Sequence, residues 1–278
     1  MPKILGFVMA HYGAPFFRAA VESLYDQVDH IVVLYTDKPS QGYGAMAACP
    51  DTEEELLACV KPFWEKDGKR FISWAPGRWS HEGEHCSAIK AWADGYDWLW
   101  RFDCDEVAPP GMVAEMIAQA ETSDHKVYCV PFVHFWRCFN RVCRDGQMPA
   151  RLTRVNGGQG ERYLDPKGGK WTVYHFGYAQ PSRYIAYKLE VSGHHSEFRP
   201  DWFEDRWLAN AQKDVHPVMF PTHWMPEDFD KETLPPILKA HPYFNERLIE
   251  TWEMGPEVHE ADWDQEALKE IQQERENK

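Results

Sequence analysis

Three carboxylate side chains follow one apolar run of the sequence and could together bind a divalent cation. Tyr96–Phe102 has the composition of a buried strand, and Asp103, Asp105 and Glu106 come after it. Because residues i and i+2 of a strand point to the same face, Asp103 and Asp105 are expected to project together. Two close carboxylates repel unless a cation lies between them, and oxygen ligands suit Mg²⁺ or Mn²⁺, which in turn suit a diphosphate. The alternative is a solvated acidic turn.

The elements that would position these residues alternate between apolar strands and amphipathic helices. This order predicts an α/β fold with a mostly parallel sheet, helices on both faces, and ligands at the carboxyl ends of the strands. Asp51 and Thr52 are candidate caps of the second helix. The predicted strands are Lys3–Ala10, His30–Tyr35, Lys69–Trp74, Tyr96–Phe102 and Lys126–Arg137, and the predicted helices are Phe16–Tyr25, Asp51–Trp64, Glu82–Gly95 and Met112–Ala120.

The character of the chain changes after Arg137. Residues 137–170 hold eight Lys or Arg against three acids and several glycines, which predicts a basic, loop-rich insertion of hairpins and loops. A strand is expected at Lys170–Ala179, and helices are expected at Arg183–Val191 and Asp262–Lys278. We therefore expect a catalytic domain over residues 1–200 and a small mixed extension over 201–278 that is rich in Trp and Pro.

Composition and charge narrow the class of protein. The 278 residues carry a formal net charge of −14, which argues against generic binding of polyanions. The seven cysteines are scattered and form no C-x-x-C pair, so neither a disulfide framework nor a structural zinc site is expected. The N-terminal apolar stretch is too short for a signal peptide, and no run reaches the roughly 18 residues of a membrane span. These features favour a cytoplasmic protein of bacterial or viral origin.

Several landmarks of the chain match one fold family in order. A loop at His11-Tyr-Gly-Ala-Pro follows the first strand, Asp37 ends the second, and Arg78–Lys90 precedes the Asp-Cys-Asp motif at 103–105. Tyr174-His-Phe-Gly-Tyr178, followed by Lys188–Glu197, resembles an H-F-x-Y…K-L-x-S-x-x-H-x-E pattern. Together they resemble the GT-A fold of nucleotide-sugar glycosyltransferases, of a family 2-like bacterial or viral type. The resemblance covers about residues 3–200.

The resemblance implies a role for each matched residue. The nucleotide sugar would be bound by His11, Tyr12, Asp37, Arg78, Glu82, Asp103 and His195, and a Mn²⁺ or Mg²⁺ ion by Asp103, Asp105 and His175. Each role has a plain structural alternative. Asp37 could be a turn residue, Glu82 could stabilise a helix N-terminus, and His175 could be a core histidine.

The general base is the least determined residue. A transferase that inverts configuration needs a carboxylate to take the proton of the acceptor hydroxyl. Glu197 and Asp201 are our candidates, and Glu204 and Asp205 are also possible. No such base is required if configuration is retained.

Three functions follow from these observations. The first is a metal-dependent transferase of the hexosyl type that moves a sugar from a nucleoside-diphosphate sugar, with UDP favoured, to a hydroxyl on a glycan or small molecule. The second is the same chemistry on nucleic acid, such as hydroxymethylated bases of viral DNA, because the basic insertion mixes arginines with aromatic residues. The third is a non-catalytic module that binds carbohydrate or nucleotide.

Overall fold

A computed structural model of the chain describes residues 2–40, 47–67, 71–144, 146, 148–164, 171–192, 195–198, 200–208, 216–219, 222–224, 226–246 and 262–276. The strands are β1 Ile4–Ala10, β2 His30–Thr36, β3 Ile72–Gly77, β4 Trp98–Asp103, β5 Glu106–Val107, β6 Val127–Cys129, β7 Phe132–Trp136, β8 Arg141–Cys143, β9 Ala150–Arg154, β10 Glu161–Tyr163, β11 Val173–Tyr178, β12 His216–Met219, β13 Thr222–Trp224 and β14 Glu227–Asp228. The α-helices are α1 Ala14–Tyr25, α2 Glu53–Asp67, α3 Glu82–Ser87, α4 Met112–Ala120, α5 Ser182–Val191, α6 Pro236–Lys239 and α7 Gln265–Glu276.

The chain divides into two compact units, each built from separate stretches of sequence. The first unit takes its residues from 1–42, 51–132 and 146–174, and the second from 43–50, 133–145 and 175–278. The domain boundary at residue 200 stays a prediction. No helix within the described residues is both long enough and apolar enough to cross a membrane.

A seven-stranded sheet forms the centre of the first unit, in the order β10-β6-β9-β4-β1-β2-β3. Strands β3, β2, β1 and β4 are all parallel, because helical crossovers after β1, β2 and β3 each return the chain to the same edge. Strand β9 runs antiparallel between β4 and β6. The predicted α/β fold with a mostly parallel sheet flanked by helices is therefore confirmed.

Apolar side chains cover both faces of this sheet. On one face Trp100 and Phe102 pack with Phe17 of α1 and with residues of α2 and α4. On the other face Leu99 packs with Phe7 and with Ile89, which lies in the 3₁₀ turn after α3. The alternation along β4 is the two-residue period of a strand that is buried on both sides.

Two predicted elements differ from the structure. The run Lys126–Arg137 forms two strands, β6 and β7, which pair with different partners, β9 and β8. Pro131 lies between them, and proline has no N–H to continue a ladder. The predicted helix Glu82–Gly95 is a short α-helix followed by a 3₁₀ turn at Ala88–Trp92. The predicted starts of two strands, at Lys69 and Lys170, lie outside the described residues. So does the predicted end of the C-terminal helix at Lys278.

The second unit has its own sheet and an aromatic core. Strands β14, β8, β7 and β11 follow one another in that order. Trp136 and Trp207 meet at right angles with ring centroids 5.3 Å apart, and the Arg137 guanidinium lies 4.0 Å from the Trp207 ring. Arg137 has a positive φ of 61° and donates to the Trp207 carbonyl, so a buried cation fixes the π-helical turn Phe203–Leu208.

Candidate functional site

The strands that follow β1 in the sequence are added on both sides of it. Strands β2 and β3 are added on one side of β1, whereas β4 is added on the other side, with Met9 in register with Asp103. The order of the strands therefore has a topological switch point between β1 and β4, at the carboxyl edge of the sheet. Open α/β sheets bind ligands at such a switch point. His11 follows β1 and Asp103 ends β4, so the predicted site residues lie on both sides of this point.

The acidic motif is a turn rather than a continuous strand. Strand β4 ends at Asp103, Cys104 and Asp105 form the turn, and Glu106 begins β5. The prediction that Asp103 and Asp105 lie on one face of a strand is therefore wrong, because β4 ends at Asp103 and Asp105 lies in the turn. Both side chains are half-buried.

Cys104 anchors this turn to the loop after β1. Its Sγ donates to the Met9 carbonyl at 3.4 Å, and burial raises the pKa of the thiol. Gly13 has a φ of 121°, and a Cβ on it would lie only 2.7 Å from Cys104 Cβ. Only glycine fits there, since it has neither the strain nor the clash.

Arg151 of β9 binds two carboxylates of the acidic motif. Arg151 donates through Nη2 to Glu106 at 2.5 Å and to Asp103 at 3.0 Å, and through Nε to Glu106 at 3.0 Å. The Arg151 and Glu106 side chains are 8% and 1% exposed. Burial raises the pKa of Glu106 while Arg151 opposes that shift. Burial also acts to lower the pKa of Arg151, but Glu106 and Asp103 outweigh it and the pKa is raised.

A second arginine reaches Asp103 from its own strand. Arg101 Nη2 lies 2.6 Å from Glu82 and 3.4 Å from Asp103. The Asp103 carboxylate is the main cause of the raised pKa of Arg101. Glu82 begins α3, as expected of an acid at a helix N-terminus, and the ion pair ties that helix to the acidic turn. The cluster holds four carboxylates and two guanidinium groups, a formal excess of two negative charges.

Asp37 and Arg78 form an ion pair at the carboxyl ends of β2 and β3. Asp37 follows β2 and Arg78 follows β3, and the guanidinium grips the carboxylate through both Nε, at 2.8 Å, and Nη2. The hydrogen bond from Arg78 lowers the pKa of Asp37. Both side chains are exposed, so the pair contributes little to stability. It presents a polar edge at the carboxyl ends of two parallel strands.

His11 and Tyr12 form the loop after β1. His11 Nδ1 donates to the Thr36 carbonyl at 2.9 Å, which ties the ends of β1 and β2 together. Burial lowers the pKa of His11, so its neutral form is favoured. The Tyr12 ring meets His11 edge-on with centroids 5.8 Å apart.

The N-terminus of α1 is occupied by a side chain of the protein. Asp51 Oδ2 accepts from Gly13 N at 2.6 Å and from Ala14 N at 3.0 Å. Asp51 therefore caps α1, whereas Thr52 forms the capping box of α2 with Glu55. A helix N-terminus after the first strand often binds phosphate, but a carboxylate fills that position here.

The remaining predicted residues belong to the second unit. His175 is half-buried in β11, and its Nδ1 lies 2.6 Å from Nδ1 of His134. His195 is exposed and its Nδ1 donates to the Leu189 carbonyl at 2.8 Å. Glu197 ends the 3₁₀ turn that begins at His195, and Asp201 is exposed. Their catalytic and metal-binding roles stay predictions.

A divalent ion would find two protein ligands in the first unit. The oxygen donors of Asp103 and Asp105 have the chemistry that Mg²⁺ and Mn²⁺ prefer, and the cluster has negative charge in excess. Among the described residues no group of three His, Cys, Asp or Glu side chains is arranged to hold a metal. Asp103 already accepts from Arg151 and Arg101, so an ion held by these two carboxylates would take most of its ligands from water or a bound phosphate.

Arg101, Arg151 and His134 were missed by the sequence reasoning. Arg151 was assigned to a basic insertion, yet Arg151 and Leu152 sit in a short alternating run typical of a strand that is half-buried. Arg101 lies two residues before Asp103, a spacing that places both on one face of β4. His134 had no signal beyond its place in an apolar run.

Several described arginines of the basic insertion already have partners within the protein. Arg154 donates to the Ser123 carbonyl at 3.2 Å and lies 4.3 Å from the Trp98 ring. Arg144 pairs with Glu227 at 2.5 Å. With Arg151 buried, these arginines offer no basic groove for a nucleic-acid backbone.

No protein-family model and no curated protein sequence matches the chain. Solved structures of glucosyl-3-phosphoglycerate synthase from Mycobacterium tuberculosis resemble it in part. The complex with Mn²⁺, UDP and phosphoglyceric acid is 18% identical, covers 49% of this chain and 44% of that chain, and has a TM-score of 0.30. The complex with Mg²⁺ and UDP has the same identity and coverage and a TM-score of 0.31. The chain thus spans less than half the length of these structures, and a match of this quality transfers neither substrate nor mechanism.

Proposed function

We propose that this chain is a metal-dependent glycosyltransferase that moves a sugar from a nucleoside-diphosphate sugar, with UDP as the nucleotide, to a hydroxyl acceptor. The observation that carries the proposal is the acidic turn at the switch point of the sheet, where Asp103 ends β4 beside Met9 of β1. This is where a parallel sheet binds a nucleotide, and the turn has the donors that a diphosphate-bound cation needs.

Asp103 and Asp105 hold the ion in this proposal. When bound, the ion neutralises the charge that develops on the leaving diphosphate. Arg151 and Arg101 fix the orientation of Asp103 and keep the cluster from repelling itself. Since the protein supplies two carboxylates, we expect the ion to bind well only together with the diphosphate.

The nucleotide lies across the ends of β1, β2 and β3. Tyr12 stacks on the base, His11 holds the loop to β2, and the Asp37 carboxylate accepts from a ribose hydroxyl or the uracil N–H. Arg78 pairs with Asp37 and donates to a phosphate, and Glu82 accepts from a sugar hydroxyl beside Arg101. These roles agree with the position of the Asp37–Arg78 pair at the carboxyl edge of the sheet.

The sequence pattern assigns the general base to Glu197 or Asp201 if configuration is inverted, a donor contact to His195 and a metal contact to His175. No observation on the described arginines favours nucleic acid as the acceptor.

Turnover tests the proposal. A panel of UDP-sugars, with and without Mn²⁺, is incubated with the chain and a mixture of mono- and oligosaccharide acceptors, and release of UDP is measured. We expect Mn²⁺-dependent release that Asp105→Ala abolishes. Asp94→Asn, which changes an exposed aspartate outside the cluster, should leave the rate unchanged. Binding of UDP without any turnover would identify a non-catalytic binding module, and neither binding nor turnover would refute the proposal.

A further inference from the structure

Three basic side chains meet around Gly177 in the second unit. His175 lies two residues before it on β11, Lys188 reaches it from α5, and His134 contacts His175 from β7. The Lys188 ammonium donates to the Gly177 carbonyl at 3.3 Å and lies 5.2 Å from the Tyr178 ring centroid. Nothing in the proposed function assigns a role to Lys188 or His134.

Glycine at position 177 lets two of these groups approach one point. A Cβ on Gly177 would overlap the Lys188 ammonium and would lie 2.6 Å from Nε2 of His175. Because both nitrogens lie within 2.6 Å of the same point, they are at most about 5 Å apart. An oxygen at hydrogen-bond distance, roughly 2.8 Å, from each nitrogen fits that separation.

A hydrogen bond joins the His175 ring to the His134 ring and couples their tautomers. The two Nδ1 atoms are 2.6 Å apart and the rings are perpendicular, so one Nδ1 donates to the other. If neutral His175 is to donate through Nε2, its Nδ1 must accept and His134 must donate. The imidazole pair can therefore present an N–H beside the ammonium of Lys188.

We propose that Lys188 and His175, oriented by His134, bind the oxyanion of a phosphate or carboxylate group carried by a ligand. A divalent cation on His175 Nε2 would instead lie next to the ammonium. The two positive charges would then repel each other. The same two nitrogens attract an anion. The inference goes beyond the proposed function, because it concerns residues of the second unit and needs no metal.

Anion binding to the full chain tests the inference. Inorganic phosphate and acetate are titrated separately by calorimetry in buffer from which metal ions have been removed with a chelating resin. We expect binding that Lys188→Met weakens at least tenfold. Lys126→Met is the matched control, since Lys126 also donates to a backbone carbonyl, that of Val155 at 2.7 Å. Tighter phosphate assigns a phosphate ester, and equal or tighter acetate assigns a carboxylate. No binding of either anion, or equal binding by Lys188→Met and wild type, overturns the inference.

NMR of the histidine ring nitrogens in wild-type protein tests the site without a variant, which matters if Lys188→Met fails to fold. Saturating phosphate should shift the Nε2 resonance of His175, and Asp105→Asn should retain that shift even if it loses all response to UDP. The response to UDP tests the proposed function and the His175 shift with phosphate tests this inference, so a failure of one can be told from a failure of the other. An unchanged His175 resonance with phosphate, or a response to Mn²⁺ alone, overturns the oxyanion site.

Discussion

The pair of Arg151 with Glu106 supports the acidic turn, and removing one partner should damage the fold. Arg151→Met leaves the Glu106 carboxylate, which is 1% exposed, without the cation that holds it at 2.5 Å. Removing one partner of a buried ion pair costs about 3–5 kcal/mol. Arg144→Met is the matched control. It breaks an Arg–Glu pair of the same 2.5 Å length whose side chains are 51% and 56% exposed, and such pairs contribute at most about 1 kcal/mol.

Equilibrium unfolding in urea, followed by tryptophan fluorescence, measures both losses. The double variant Glu106→Gln/Arg151→Met should recover most of the stability, because no charge is then left buried. Lowering the pH should also restore part of the stability that Arg151→Met loses. Burial raises the pKa of Glu106 and Arg151 opposes this, so removing Arg151 raises the pKa further. A folded-state acid pKa above the unfolded value costs stability at high pH, and the cost vanishes as pH falls toward the unfolded value near 4.3.

Two results would contradict this role of the buried pair. One is an equal loss of stability in Arg151→Met and Arg144→Met. The other is a double variant Glu106→Gln/Arg151→Met that is no more stable than Arg151→Met.

Three further predictions concern the loop after β1 and its surroundings. Gly13→Ala should lose about 1–3 kcal/mol more than Gly146→Ala in thermal unfolding, because a Cβ at Gly13 meets Cys104 whereas one at Gly146 meets nothing within 4 Å; equal losses would contradict the close approach. Asp51→Ala should cost about 1–2 kcal/mol and Asp51→Asn less, since the cap of α1 is lost only in the former, and equal unfolding midpoints for the two would exclude that role. Burial lowers the pKa of His85 below its usual 6.5, so the unfolded chain gains a proton first and stability should fall as pH drops below about 6.5; an unchanged pH slope in His85→Gln would disprove this.

The parallel half of the sheet could be predicted because its information is local. Each of β1 to β4 is an apolar run followed by a turn, and parallel crossovers bring sequential strands together. The position of β9 could not be predicted in this way. Its three-residue pairing with β4 joins Leu99 to Thr153, more than fifty residues apart, and nothing in the sequence marks that partner.

The positions of the candidate site residues divide in the same way. Asp103, Asp37 and Arg78 end or follow strands, so their place at the edge of the sheet could be predicted, and the structure pairs the last two directly. Their roles stay predictions. Arg151 was not found, since a charged residue in a basic segment is most often solvated and only tertiary pairing shows otherwise. Asp51 was predicted as a cap, but of the wrong helix, because the side chain reaches a helix 37 residues earlier in sequence.

Calorimetric titration of UDP with and without Mn²⁺ measures whether the acidic turn binds a metal ion together with a diphosphate. We expect Mn²⁺ to tighten UDP binding at least tenfold and to bind only weakly by itself, because the first unit supplies two carboxylates. We also expect Asp105→Asn to abolish the effect of Mn²⁺. UDP affinity that is indifferent to Mn²⁺, or a Mn²⁺ effect that survives in Asp105→Asn, would contradict the assignment of the acidic turn as the metal and diphosphate site.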